Sequence, residues 1–253
     1  MTALLEIENL VAGYGSARVL KGISLSVNTG ETVAVLGANG AGKSTLMNTI
    51  AGLVRPWAGR IVFAGEDVTS MPAEDRAARG LVLTPEGRGI FVTLSIEENL
   101  LVGATALRSR LGAAETRLRI AEGLERAYGI FSVLGARRHD LASKLSGGQQ
   151  QMLAIARGLM AQPKLLLMDE PCLGLAPKLG TEVYAALEAL REQGPSLVVV
   201  EESSRRALAF ADRAYVLKIG ETVLEGRAAT LGADETLLEA YFGIEAAVAV
   251  AER

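Results

Sequence analysis

The stretch Gly37-Ala38-Asn39-Gly40-Ala41-Gly42-Lys43-Ser44 decides the fold of this 253-residue chain. It matches Gly-x-x-x-x-Gly-Lys-Ser/Thr, follows the apolar run Thr32–Leu36 and precedes the helix-like stretch Lys43–Gly52. Its glycines bare backbone N–H groups beside the positive end of a helix, which suits a triphosphate. Lys43 adds a charge at the β- and γ-phosphates, and the Ser44 hydroxyl offers Mg²⁺ an oxygen. The strand and helix on either side disfavour the alternative, a glycine-rich turn of chance composition.

A second site is predicted where the run Leu165–Met168 ends in two acids, Asp169 and Glu170. Four consecutive apolar residues indicate a buried parallel strand, and ligands of such sheets bind beyond the carboxyl ends of the strands. Asp169 is therefore placed to hold Mg²⁺ through water, and Glu170 to polarise the attacking water. The alternative is an ordinary strand that ends in a solvated turn. The phosphate loop (Gly37–Ser44) in the same chain favours the catalytic interpretation.

The periodicity on either side of these motifs predicts an α/β fold. Alternating apolar residues in the first thirty positions predict an antiparallel β-rich start. No strand pattern occurs between Ser95 and Ala161, where apolar residues instead recur at helical spacing. The alternation elsewhere predicts a mostly parallel sheet with helices on its faces and an inserted helical lobe. Further strands are expected at Arg60–Phe63, Leu81–Thr84, Leu165–Met168, Leu197–Val200, Ala214–Ile219 and Thr222–Leu224.

Composition excludes several classes of protein. The 26 Lys+Arg and 29 Asp+Glu give a formal charge of −3, which argues against a dedicated nucleic-acid binder. The longest stretch without a charged residue, Leu145–Ala156, is shorter than the roughly 20 apolar residues of a spanning helix. No secretory signal is expected, because Met1–Leu10 lacks a basic leader. A single cysteine, Cys172, excludes an internal disulfide and fits a reducing cytoplasm.

The segment Leu145-Ser146-Gly147-Gly148-Gln149-Gln150-Gln151 narrows the choice among nucleotide hydrolases. It resembles the signature sequence of ABC-type ATPases and lies in the expected order, between the phosphate loop and the acidic strand. Ser146 is predicted to be the N-cap of a helix whose first glycines leave backbone bare for a phosphate. The resemblance implies a head-to-tail dimer, in which Gly37–Thr45 of one subunit and Ser146–Gln149 of the other hold each ATP. A capped helix with no ligand is the alternative.

The resemblance covers Leu4 to Gly243. The C-terminal tail at 244–253 carries no recognisable motif. It implies a P-loop NTPase (RecA-like) core with an antiparallel β subdomain, at 1–84 and 162–243, and an inserted α-helical subdomain at about 85–161. Pro85-Glu86-Gly87-Arg88, Glu97-Glu98-Asn99-Leu100 and Pro171–Pro177 are similar to the branched-chain amino-acid uptake group, in particular to its second, smaller ATPase.

The site residues follow partly from the motifs and partly from this resemblance. Tyr14 stands at the family's adenine-stacking position, although a half-buried strand tyrosine would look the same. The expected nucleotide contacts are Tyr14, Gly37, Asn39, Gly40, Ala41, Gly42, Lys43, Ser44, Thr45, Ser146, Gly147, Gly148 and Gln149. The expected metal ligands are Ser44, Glu86 and Asp169, and the expected catalytic residues are Lys43, Glu86, Glu170 and Glu202.

Three positions depart from the superfamily pattern. Glu86 replaces a Gln that senses the metal and reports the ATP state to the membrane subunits; a carboxylate can still bind Mg²⁺ or its waters. Glu202 stands where His or Gln donates to the γ-phosphate, and an ionised Glu cannot donate. Glu202 is therefore protonated, or points away, or slows the site, and we expect weakened but real hydrolysis. Ala176 replaces the usual Asp in a loop that crosses the dimer interface, so one contact between subunits is missing.

The resemblance implies an ATP-hydrolysing subunit of an ABC importer for branched-chain or related amino acids, with ATP and Mg²⁺ as cofactors. Its expected partners are two membrane permeases, a sister ATPase in a homo- or heterodimer and, indirectly, an extracytoplasmic solute-binding protein. It is expected to be peripheral, on the cytoplasmic face of the inner membrane, without a nucleic-acid partner. A urea or amide importer ATPase, a soluble ABC ATPase not linked to transport, and an ATP-binding regulatory subunit with little turnover remain alternatives.

Overall fold

The computed structural model describes residues 3–108, 111–192, 194–201 and 204–233. The chain begins with a four-stranded antiparallel sheet in the order β2-β1-β4-β5, which confirms the predicted β-rich start. Along β1 buried residues alternate in part with exposed ones, as expected for a sheet with one face against a core. Its strands are β1 (Ala3–Tyr14), β2 (Ala17–Asn28), β4 (Ala58–Phe63) and β5 (Glu66–Asp67).

The second sheet has six strands in the order β10-β9-β3-β8-β7-β6. They are β3 (Thr32–Leu36), β6 (Leu81–Thr84), β7 (Leu165–Asp169), β8 (Ser196–Glu201), β9 (Arg213–Lys218) and β10 (Glu221–Arg227). All neighbours pair in parallel except β9 and β10. Every residue of β3, β7 and β8 is buried, because both faces of a parallel sheet are covered. The mostly parallel sheet predicted from the sequence is therefore confirmed.

Helices connect these strands and fill the middle of the chain. They are α1 (Lys43–Ala51), α2 (Ala73–Ala78), α3 (Ile96–Gly103), α4 (Thr105–Arg108), α5 (Ala113–Ile130), α6 (Ser132–Ala136), α7 (Gly147–Leu159), α8 (Pro177–Arg191), α9 (Ser204–Phe210) and α10 (Ala228–Ala233), with a 3₁₀ turn at Ala142–Lys144. In the described part between β6 and β7, these helices are joined by one isolated β-bridge, Ser95 to Leu141. The strand-free middle of the chain is as predicted.

The core lies on both faces of the six-stranded sheet, and β7 shows how it is divided. Leu165 and Leu167 pack into the cluster that includes α1 and the antiparallel sheet. Leu166 and Met168 pack into the cluster formed mainly by the helices α3 to α8. This two-residue alternation anchors β7 in both layers, so the acids at its carboxyl end are held between the core and the helical lobe.

The P-loop NTPase fold class is confirmed, while the exact boundaries of the subdomains at 84/85 and 161/162 stay a prediction. The predicted strand Ala214–Ile219 ends one residue earlier, since Ile219 enters a turn with φ of +50°. The tail 244–253 lies outside the described residues. None of the helices in the described ranges combines the length and the apolar character that a membrane-spanning segment needs.

Candidate active site

The phosphate loop leaves β3 at Leu36 and enters α1 at Lys43. Gly40 and Gly42 have φ of +82° and +104°, a region that favours glycine. At Gly37 a Cβ would lie 2.5 Å from the carbonyl oxygen of Leu217 on β9. Gly42 is the N-cap of α1 and makes no side-chain cap bond. Two glycines are therefore needed for the turn and one for close packing, and the start of α1 carries no competing side-chain cap.

Lys43 is buried beneath this loop and joins it to the acidic strand. Its side chain is 4% exposed. The Nζ atom donates to the carbonyl oxygen of Gly37 at 2.8 Å and to that of Ala38 at 3.4 Å. The same atom forms an ion pair with Glu170 Oε1 at 3.4 Å. Two residues predicted from separate motifs are thus in direct contact.

Asp169 ends β7 with a buried carboxyl group. Ser44 faces its side chain, and the Oδ1 atom is buried without a hydrogen-bond partner. Burial raises the pKa of Asp169 to about 6; the charges of Glu170 and Glu86 also raise it, while Ser44 and Lys43 act in the opposite direction. A buried acceptor without a partner is costly unless a ligand satisfies it.

These oxygens fit Mg²⁺. No group of three or more His, Cys, Asp or Glu side chains within the described ranges is arranged as a metal cluster. Mg²⁺ does not need one, because it commonly takes one or two protein oxygens together with substrate phosphates and water. Ser44 Oγ and the free Oδ1 of Asp169 are therefore the groups that would hold it, with Glu86 close enough to act on the pKa of Asp169.

Glu170 is held in an unusual backbone conformation. Its φ is +49°, which is uncommon for a residue other than glycine. The N–H of Glu170 donates to the carbonyl oxygen of Val200 on β8 at 3.0 Å, and the side chain lies against Lys43. The neighbouring strand thus fixes the direction in which the carboxylate leaves β7, toward the phosphate loop.

Glu86 is exposed in the loop between β6 and α3, residues 85–95, which we call the Glu86 loop. Two arginines tie this loop to α7. Arg88 Nη1 donates to Gln150 Oε1 at 2.9 Å. From the other end of α7, Arg157 Nη1 donates to the carbonyl oxygen of Gly89 at 2.7 Å and stacks 5.5 Å above the ring of Phe91. Neither tie was predicted from the sequence; a basic residue in a helix with mostly apolar neighbours was the available signal for Arg157.

The signature segment (Leu145–Gln151) opens α7 as predicted, with Ser146 as its N-cap. Gln149 N–H donates to Ser146 Oγ at 3.4 Å, and Ser146 N–H donates to Gln149 Oε1 at 3.1 Å, which is a capping box. A Cβ on Gly147 would lie 3.2 Å from Arg88 Nη2, and one on Gly148 would lie 3.1 Å from Leu179 Cβ. The segment therefore contacts its own helix, the Glu86 loop and α8, and Arg137 after α6 also donates from Nη1 to Gln149 Oε1 at 3.2 Å.

The remaining predicted residues differ in their surroundings. Asn39 is exposed, while Ala41 and Thr45 are buried. Tyr14 is 52% exposed at the end of β1, with its ring open to solvent. Ala176 is the N-cap of α8 and gives no side-chain cap bond. Glu202 lies outside the described residues.

Comparison with known proteins gives one consistent family. The family model described as "ABC transporter" matches residues 20–173. The chain is 37% identical to the high-affinity branched-chain amino acid transport ATP-binding protein BraG of Pseudomonas aeruginosa, over 95% of this chain and 100% of that one. It is 33% identical to the lipopolysaccharide export system ATP-binding protein LptB of Escherichia coli strain K12, over 95% and 98%.

Solved structures agree. A nucleotide-free ATP-binding cassette of an ABC transporter matches with a TM-score of 0.80 and 29% identity, over 96% of this chain and all of that one. A dimeric cassette bound to ADP and Pi, in a post-hydrolysis state, matches with a TM-score of 0.73 and 27% identity, over 88% and 98%.

Proposed function

This chain belongs to the ABC transporter family as a transporter ATPase, and we propose that it energises an importer of branched-chain or related amino acids. The similarity to BraG over the whole of that protein supports this choice of solute, as does the Pro85–Arg88 sequence. The similarity to LptB, at 33% identity, favours a second candidate, lipopolysaccharide export. A urea or amide importer is the alternative solute class for an importer, because an ATPase does not contact the solute.

One observation carries the catalytic part of the proposal: Lys43, Ser44, Asp169 and Glu170 meet where β3 and β7 end. The loop N–H groups and Lys43 bind the phosphates, and the Lys43 ammonium leaves the carbonyl oxygens of Gly37 and Ala38 to do so. Ser44 and Asp169, with Glu86, would hold Mg²⁺, which would supply neutralisation of phosphate charge. Glu170, released from Lys43, orients the attacking water. Positioning and charge neutralisation of this kind account for most catalysis of phosphoryl transfer.

The second half of each nucleotide site comes from another subunit under this proposal. Ser146–Gln149 presents a capped helix start to the phosphates of the partner's ATP, and Tyr14 stacks on the adenine of its own subunit's ATP. The half-exposed ring of Tyr14 supports its role. The similar cassette that was solved as a dimer with ADP and Pi supports the pairing. The partner is a second copy or a sister ATPase.

Membrane permeases are the proposed partners next to the Glu86 loop. A groove of about 360 Å³ runs between this loop, α3 and α7, and its lining includes Phe91 and Val102, which are 47% and 39% exposed. An apolar groove suits a segment of a partner protein. Docking there places the ATPase peripherally on the cytoplasmic face of the membrane, with the solute-binding protein reached only through the permeases.

The substrate proposal is tested in the host cell. We expect deletion of the gene to abolish uptake of radiolabelled leucine, and the wild-type gene, but not Glu170→Gln, to restore it. Unchanged leucine uptake together with a permeable outer membrane would instead support lipopolysaccharide export. Unchanged uptake of both leucine and urea, with an intact outer membrane, would overturn both candidates.

The hypothesis that Glu202 slows hydrolysis is tested separately. We expect Glu202→Gln and Glu202→His to raise steady-state phosphate release, because each gives the γ-phosphate a donor. Glu170→Gln is the control that removes turnover. Phosphate release no faster in either variant than in the wild type would remove Glu202 as a brake, and no release at all in the wild type would favour the binding-only regulatory subunit.

A further inference from the structure

The turn between β9 and β10 lies against the phosphate loop. The N–H of Gly220 in this turn donates to the carbonyl oxygen of Ala41 at 3.0 Å. The Cα atom of Gly220 also lies 3.8 Å from the position that a Cβ would take on Gly42. At the start of the loop, Gly37 packs closely on Leu217 of β9. The end of β9 and the turn after it therefore form one wall of the phosphate loop.

The same turn is fixed from its other side by β2 of the antiparallel sheet. The carbonyl oxygen of Gly220 accepts the N–H of Lys21 at 2.8 Å. A Cβ on Gly220 would lie 1.9 Å from the carbonyl oxygen of Val19, which is far inside van der Waals contact. Gly220 is buried, and both of its polar backbone groups are paired. Its backbone thus bridges β2 and the phosphate loop, with no room for a side chain.

This bridge sets the direction of one amide in the phosphate loop. The peptide bonds of the described residues are all trans, and in a trans peptide the C=O and the following N–H point to opposite sides. Because Gly220 holds the carbonyl oxygen of Ala41, the N–H of Gly42 points away from the β9–β10 turn. Gly42 is the N-cap of α1, so this N–H lies at the positive end of a helix, where an anion is favoured.

We propose that Gly220 is a positioning residue for nucleotide binding: its N–H holds the Ala41 carbonyl and so aims the N–H of Gly42 at the phosphates. This inference rests on the proposed binding of phosphates by the N–H groups of the loop. Gly220 acts through the peptide that joins Ala41 to Gly42 and does not touch the nucleotide. An N–H that binds phosphate in the ground state and the transition state alike affects KM and leaves kcat unchanged.

A second hairpin of the chain provides a matched control. Ala64 and Gly65, between β4 and β5, have φ of +51° and +81°, and Ile219 and Gly220 have φ of +50° and +82°. Each pair forms a two-residue connection between antiparallel strands, with the positive φ values of a type I′ turn. A Cβ on Gly65 would meet no atom within 4 Å. Alanine therefore brings the same backbone strain to both turns, but only at Gly220 does it disturb the contact with the phosphate loop.

The test compares Gly220→Ala with Gly65→Ala. We expect Gly220→Ala to raise the KM for ATP and the Kd of a fluorescent ATP analogue about tenfold, as the loss of one hydrogen bond to a charged group does. Its kcat, from steady-state phosphate release, should stay within about threefold. Gly65→Ala should keep all three constants within about twofold. Urea unfolding of both variants measures the loss of stability, which a merely structural role of Gly220 would show without a change in KM or Kd.

A second variant keeps the test decisive if Gly220→Ala does not fold. Glycolic acid in place of Gly220, introduced by nonsense suppression, exchanges the N–H for an ester oxygen and adds no side chain. The Ala41 carbonyl then loses its donor while the shape of the turn is kept. We expect KM and Kd to rise about tenfold in this variant as well. The same exchange at Gly65 should leave both constants within about twofold.

Unchanged KM and Kd in the glycolic-acid variant at Gly220 overturn the inference, and so does a loss confined to kcat. An equal rise of KM in the two Gly65 controls overturns it too, because strain in a distant turn would then be sufficient. The Kd of the wild type is measured in parallel. No binding of the analogue by the wild type would disprove the proposed function itself, whereas tight wild-type binding beside unchanged constants in the Gly220 variants would disprove only the role of Gly220.

Discussion

The phosphate loop and the signature segment are both glycine-rich turns that open a helix, but they are built differently. In the phosphate loop, Gly40 and Gly42 adopt positive φ, and the helix start has no side-chain cap. In the signature segment, the φ values of Gly147 and Gly148 lie outside that region, and Ser146 and Gln149 cap the helix. Glycine in the first turn serves backbone conformation, and glycine in the second leaves room for neighbouring side chains.

The surroundings of the two turns differ as well. The phosphate loop is completed by buried charged groups of its own chain, Lys43, Asp169 and Glu170. The signature segment is capped by its own Ser146 and Gln149, and its packing partners come from the helical lobe and α8. The chain therefore carries one nearly complete half-site and one prepared surface, which explains why we assign the second to a partner's nucleotide.

The largest expected effect is a loss of ATP turnover when Lys43 of the phosphate loop is replaced. Lys43→Met should lower ATP turnover about a thousandfold, because the phosphates lose a buried positive charge. Lys144→Met, at an exposed lysine beside the signature segment, is the matched control and should change turnover less than about threefold. Steady-state phosphate release measures both. Similar losses of turnover in the two variants would contradict the proposed difference between the phosphate loop and the signature segment.

The next effect concerns stability and pH, since Asp169 and Glu201, the buried acids among the described residues, lie at the carboxyl ends of β7 and β8. Burial raises the pKa of Glu201 to about 7 in the folded chain, against an ordinary 4.5. As pH rises from 4.5 to 7, the unfolded chain releases this proton first, so the free energy of unfolding falls, by about 1.4 kcal/mol per pH unit.

Glu201→Gln should remove this fall. The free energy of unfolding of Glu201→Gln minus that of the wild type should rise by about 3 kcal/mol from pH 4.5 to pH 8, because only the wild type loses stability over this range. Urea unfolding at both pH values measures the difference. Glu125→Gln, at an exposed acid on α5, is the control and should show no such change. A constant difference between wild type and Glu201→Gln would mean that Glu201 keeps an ordinary pKa in the folded chain.

Alanine at one glycine of each turn tests the reason for glycine directly. Gly42→Ala should lower the free energy of unfolding by about 2 kcal/mol, because alanine is strained at φ of +104°. Gly147→Ala should cost less than about 1 kcal/mol, because the atom it meets is the flexible end of Arg88. Urea unfolding of both variants gives the comparison, and equal losses would contradict it.

The sequence predicted what depends on local pattern. The loop at Gly37–Ser44 and the strand ending in Asp169 each combine hydrophobic periodicity with a short motif, so their positions followed without tertiary information. The pairing of Lys43 with Glu170 follows from strand order, which local pattern does not encode. The Gly220 and Arg157 contacts were missed for the same reason: each joins elements far apart in sequence, and neither residue belongs to a motif.

The smallest effect concerns the tie between the Glu86 loop and the helix that carries the signature segment. Arg157→Met should remove the hydrogen bonds to the carbonyl oxygens of Gly89 and Arg88, at 2.7 and 3.3 Å, and the stacking on Phe91. A charged hydrogen bond contributes about 1.5 kcal/mol, so we expect turnover to fall about tenfold. The nucleotide affinity of a single subunit should stay within about twofold, because the phosphate loop is untouched.

Arg119→Met is the matched control, since Arg119 is an arginine on helix α5 whose ion pairs with Glu115 and Glu122 are exposed. Such pairs contribute little, so turnover should change less than about twofold. A tenfold loss confined to Arg157→Met would mean that the Glu86 loop and the signature segment move together. Wild-type turnover in Arg157→Met, or a loss of nucleotide affinity in it, would mean that the two turns act without this link.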